Sequence, residues 1–198
     1  MKKRAETFYR IIIFSIFFLL ISFFPVSPVS MDAFAANVRI RDMVVSNTRD
    51  NLLLFLKVEG AFTDRINQAV LNGIPTTFSF YIRVEKIRTL WTDALIAQIS
   101  VTNSIKYDPL KKRFVVKRSW EDNRTLTTES FDEAKKWMSE IQSLPFIQVN
   151  QLEKGVRYEV GAKAELAKVK LPFYLNYILF FTSLWDFETD WQSVEYIR

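Results

Sequence analysis

Apolar and polar residues alternate with a period of two along most of the chain beyond residue 37. Residues 38–45 make a first, mixed strand, and a polar turn at 46–51 leads into residues 52–59, where Leu52, Leu54, Leu56 and Val58 face one way while Leu53 and Phe55 begin the other face. Apolar side chains on both faces predict a central strand. Phe78, Phe80, Ile82 and Val84 then alternate with Thr77, Ser79, Arg83 and Glu85, and Leu95, Ala97, Ile99, Val101, Ile105 and Tyr107 with Gln98, Ser100, Thr102, Ser104 and Lys106. Each of these predicts a strand with one wet face. Asp108 and Pro109 supply turn chemistry, so residues 113–120 are expected to return antiparallel, followed after a polar stretch by a brief Thr-rich strand. Val156, Tyr158, Val160, Ala162, Ala164 and Leu166 mark another one-sided strand. From Leu171 the chain is greasier, with Phe173, Leu175, Tyr177, Leu179 and Phe181 on one face and Tyr174, Ile178 and Phe180 on the other. Trp185, Phe187 and Trp191 alternate with Asp186, Glu188 and Asp190, which predicts a final strand there.

Two segments break to the helical period. Thr63 is a predicted N-cap with Asp64 in the first turn, Ile66, Ala69 and Val70 share one face, and Asn72, Gly73 and Pro75 end the helix. Ser130 and Glu133 match a capping box that opens a second helix, with Phe131, Ala134, Trp137, Met138 and Ile141 on one face and Pro145 closing it. The predicted fold is mainly β, a β-sandwich or open barrel of antiparallel strands, with two short helices over an end or edge.

The N-terminus has a different pattern. Lys2, Lys3, Arg4 and Arg10 precede an apolar run at 11–24 that Pro25 stops, and Ala33, Phe34 and Ala35 form the small-x-small pattern of a signal peptidase site, with cleavage before Ala36. The run is shorter than the roughly 20 apolar residues of a spanning helix. Residues 1–35 are therefore expected to be a signal peptide, with an N-terminal signal helix, and residues 36–198 a single extracytoplasmic domain. The alternative is an uncleaved signal anchor, in which case membrane contact runs through residues 11–24. Basic residues before the run put the remainder in the periplasm or cell envelope in either case.

Composition narrows the chemistry. The chain has no cysteine and no histidine, which removes disulfides, thiolate nucleophiles, imidazole bases and the metal sites built from them. Eighteen Phe, seven Tyr and five Trp against four Gly suit an aromatic-rich β core. The net charge of +5 is partly that of the leader, and what remains is scattered, so no nucleic-acid partner is expected. No glycine-rich phosphate loop and no nucleophile elbow is present. Asp186, Glu188 and Asp190 fall together on the polar side of the predicted last strand and read as a solvated face, and Ser130 reads as a cap rather than as a nucleophile beside Lys135 and Lys136. The expectation is a non-enzyme with no cofactor and no metal.

Several segments carry a resemblance: 52–84 (LLLFLKVEGAFTDRINQAVLNGIPTTFSFYIRV), YDPLKKRFVV from Tyr107, SFDEA from Ser130, GVRYEV from Gly155, LPF from Leu171 and SLWDFETDW from Ser183. Together these resemble a bacterial secreted family catalogued only as a domain of unknown function, number 4390 in that series. The resemblance implies export, no assigned activity and, in some bacteria, a gene near a membrane sensor kinase. It carries no functional residues over.

The functional expectation is a periplasmic interaction domain, with an envelope or membrane protein as partner and an oligomeric state left open. Its candidate surface is the aromatic C-terminal row, Tyr174, Phe180, Trp185 and Trp191. The alternative is a carrier of a hydrophobic ligand or lipid, with a cavity between sheets.

Overall fold

A computed structural model describes residues 38–122, 124–166 and 187–198; the predicted signal helix, the cleavage residues Ala33, Ala35 and Ala36, and Tyr174, Phe180 and Trp185 lie outside the described residues. The described elements belong to one unit, Ala36–Arg198. In chain order they are β1 (Arg39–Asn47), β2 (Asn51–Glu59), α1 (Asp64–Leu71), β3 (Thr76–Lys86), β4 (Ala94–Asp108), β5 (Arg113–Arg118), β6 (Thr125–Thr128), α2 (Phe131–Ser139), β7 (Glu140–Gln148), a 3-10 turn (Val149–Gln151), β8 (Arg157–Leu166) and β9 (Gln192–Ile197). The strands form two sheets, β1-β2-β7 and β6-β5-β4-β3-β8-β9, with antiparallel pairing throughout.

The alternation read from the sequence sets which face is dry. Leu52, Leu54, Leu56 and Val58 of β2, Phe78, Phe80, Ile82 and Val84 of β3, and Tyr158, Val160, Ala162 and Ala164 of β8 are all buried and belong to one core cluster. β1 lies against β8 and β9 on one flank, and α2 touches β2, β4, β5, β6 and β7 on the other, so the sheets enclose one apolar layer. At one end of that layer the rings of Phe187, Phe78, Phe62, Phe131, Phe114 and Tyr107 follow one another with centroids 4.8–6.2 Å apart. The mainly β architecture with two short helices is the one expected.

Both helix starts follow their caps: Thr63 Oγ1 accepts from Ile66 N and Ser130 Oγ from Glu133 N. The first helix also stops where expected, with Gly73 at a positive φ of 79° beyond it. The second does not. Pro145 was expected to close it and Ile141 to lie on its face, but α2 ends at Ser139 and the chain passes directly into β7, which holds both residues. β7 escapes the period-two reading because its pairing with β2 shifts register twice, and Ser143 adopts a positive φ of 60°, so the buried residues fall at Ile141, Leu144, Phe146 and Ile147. The last strand also differs: it lies at Gln192–Ile197, after the segment where alternation predicted it.

Candidate interaction surface

The aromatic row expected at the C-terminus is represented among the described residues by Trp191, and packing holds that side chain. Phe187 and Trp191, expected on one face of a strand, lie on opposite sides of the larger sheet. Phe187 meets Phe78 edge-on at 5.0 Å within the core, whereas Trp191 lies on the outer face with the Arg83 guanidinium 4.3 Å from its ring. Gly161 makes the room: a Cβ there would stand 3.0 Å from Arg83 Nε and 3.3 Å from Trp191 Cε3. The intervening chain is fixed by Thr189, whose Oγ1 accepts from Ala164 N and whose own N–H donates to Ala164 O.

The same outer face carries a polar cluster. Tyr81 donates its hydroxyl proton to Glu165 Oε1 at 2.6 Å, and Lys163 pairs with Glu188. The bond to Glu165 raises the Tyr81 pKa above its ordinary value, and the bond to Glu188 raises that of Lys163. Both groups keep their protons more firmly than in water, the opposite of the shift that makes a tyrosinate or a neutral amine available as a base or nucleophile. Glu188, expected on a strand beside Asp186 and Asp190, forms an isolated bridge with Glu165 instead. Among the described residues no three Asp or Glu side chains gather as a metal site.

An open cleft of about 830 Å³ lies beside α2, lined by Arg118, Glu121, Arg124, Glu133, Lys136 and Trp137 among others. Its deepest polar group is structural. Arg118 is 5% exposed; its Nε and Nη2 donate to the carbonyl of Trp137 at the end of α2, and its Nη1 donates to Glu121 at 3.0 Å. Opposite it in register, the fully buried Asn103 donates to Trp137 O and Met138 O. These two side chains satisfy the last carbonyls of the helix.

Leu110, in the turn between β4 and β5, is exposed singly, whereas uncovered apolar side chains gather on the β3–β4 hairpin. Leu90 and Trp91 at its tip are 88% and 79% exposed, and Leu95 and Ile96 on the strand leaving it are also exposed. The tip is organised: Asp93 Oδ1 accepts from Arg88 N, and Ile87 N donates to Arg157 O. Residues 87–93 show neither period, and their one local signal is an adjacent Leu and Trp between Thr89 and Thr92.

This hairpin leads into the least protected sheet edge. β4 is 15 residues long, but β5 pairs only with Asn103–Asp108 of it, and Ser119 adds a last link to Thr102 through both N–H groups. Among the described residues nothing pairs with the other side of residues 94–101, and Gln98 and Ser100 there are exposed. Since Thr102 turns its N–H and C=O toward β5, alternation turns those of Ser100 and Gln98 toward the vacant lane beyond it.

A family model described as Domain of unknown function (DUF4390) matches residues 35–195. No curated protein and no solved structure matches the chain.

Proposed function

We propose that this chain, which belongs to the DUF4390 family, is an exported, non-catalytic domain that acts by binding another protein of the cell envelope, with the β3–β4 hairpin as its contact surface. The carrying observation is the hairpin tip, where Leu90 and Trp91 stand almost wholly in water on a hydrogen-bonded loop. Large apolar side chains held in that way offer contact area at little ordering cost, and a buried Trp is among the strongest anchors of protein interfaces. The space between the sheets is occupied by Phe78, Phe80, Tyr158 and their neighbours, which supports contact through the surface over carriage of a ligand in the interior. The leader-like pattern of residues 1–35 supports an envelope location, and the setting implied by the family resemblance supports a membrane sensor as partner.

The test is crosslinking in native cells followed by purification of the full chain. One reproducible partner is expected, lost from the double variant Leu90→Ser, Trp91→Ser while the fold is retained by circular dichroism. Recovery of no partner, or recovery indifferent to the double variant, would overturn this assignment of the surface.

A further inference from the structure

The other sheet edges each carry a device that discourages pairing. β7 has Pro145 and the irregularity at Ser143; β1 has an irregularity at Asp42, whose φ is 52°, with Arg39 and Arg41 exposed beside it; β9, the far edge of the larger sheet, is covered by β1 lying against it; β6 is four residues long. Such bulges, prolines, charges and short lengths are how folded proteins keep edges from recruiting foreign strands. The bare part of β4 has fewer of them: residues 94–101, ALIAQISV, hold no charge, no proline and no glycine. One irregularity, between Val84 and Glu85 in the pairing with β3, falls at Ile96 and leaves residues 97–101 regular.

We propose that this lane accepts an extended, uncharged strand of the partner protein, paired with residues 97–101 through the N–H and C=O groups of Gln98 and Ser100; this deepens the interaction reading above and rests on it. A row of parallel backbone donors and acceptors is complementary to another strand, which selects the class of occupant. The absence of charge selects its side chains: apolar residues on the side of Ala97, Ile99 and Val101, small polar residues on the side of Gln98 and Ser100, and no ionised group that the edge leaves unpaired.

Geometry selects a lone strand over a second copy of this chain. The lane beside residues 97–101 is collinear with β5 and is closed at one end by Ser119. A second copy offering the same five residues antiparallel would drive its own Leu95 and Ile96, and the hairpin behind them, into the place that Ser119 and Arg118 occupy. A single extended segment ends there without obstruction and leaves the lane at its open end, past Leu95 and the Leu90–Trp91 tip, where exposed apolar surface continues.

The experiment places a photocrosslinking phenylalanine analogue at Gln98, at Ser100 and, as a control, at Thr127 on β6, in the full chain in native cells. Products from the two β4 positions are expected to map to one segment of one protein, at sites two residues apart, as strand register requires. The control gives no such product. Ser100→Pro removes an N–H that points away from β3, and it should lower the Gln98 product about tenfold or more while leaving thermal unfolding unchanged. Products scattered over a partner, products on β4 of a second copy, lipid adducts alone, no product, or indifference to Ser100→Pro would each overturn the inference. If Ser100→Pro leaves partner recovery intact while Leu90→Ser, Trp91→Ser abolishes it, the edge inference fails and the interaction reading stands. If the unsubstituted chain recovers nothing, both fail.

Discussion

The two halves of β4 share a strand and differ in everything that surrounds it. From Asn103 to Asp108 the strand has β3 on one side and β5 on the other, and its inward residues Asn103 and Ile105 are sealed off from water. From Ala94 to Val101 it has, among the described residues, β3 alone, and Leu95 and Ile96 are exposed. Even the buried polar groups divide this way, with Asn103 and Arg118 spent on holding the end of α2. The difference teaches that one half of the strand is committed to the fold, while the other is held in shape by its neighbour and left free for contact.

Hydrogen exchange gives the sharpest contrast. In the unbound protein the amides of Gln98 and Ser100 should exchange about a thousandfold or more faster than those of Ser104 and Lys106, which point toward β5. Equal protection of the two pairs would erase the comparison. Truncation comes next: Phe114→Ala, in the ring row beside the paired half, should cost about 3–5 kcal/mol in denaturant unfolding, because Phe114 is 3% exposed between Tyr107 and Phe131. Asn103→Ala should cost about 1–3 kcal/mol, since the carbonyl of Met138 loses its side-chain donor inside the core; a neutral result would mean that the helix end does not depend on β4.

A smaller effect is expected from pH, in the row of the sheet where Tyr81 stands opposite both Ser100 and Lys163. Tyr81 and Lys163 both bind their protons more tightly when folded. Their contribution is therefore complete below the ordinary tyrosine value of 10.0 and is lost as pH rises through the raised folded values. The Tm should fall as pH climbs above 10, less steeply for Tyr81→Phe. Smallest of all, Trp91→Ser should change stability by no more than about 0.5 kcal/mol, because the side chain covers almost nothing. A large loss would place Trp91 in the fold rather than at a contact.

Much of the fold was legible because period-two alternation and N-caps are local. The strands β2, β3, β4, β5 and β8, the starts of both helices and the end of α1 follow from residues within a few positions of themselves. The contact surface was less legible. Trp191 was visible as an aromatic in an alternating run, yet its partners Arg83 and Gly161 come from other strands; they seat one face of the ring while the side chain stays exposed. Leu90 and Trp91 carry no periodic mark at all. Leu95 and Ile99 read as core-type residues, and only the early end of β5 leaves the backbone beside them bare among the described residues.

The sequence by itself determined which side chains face inward, where helices begin and that the chain lacks thiol and imidazole chemistry, since each depends on residue type and near spacing. Tertiary structure decided where α2 stops, how β7 runs and which edge stays open. The reason is physical: α2 ends without a glycine cap because Asn103 and Arg118, distant in the chain, supply donors to its last carbonyls, and β4 is exposed because β5 turns away at Ser119. Hydrogen-bond partners that come from elsewhere in the chain leave no local pattern to read.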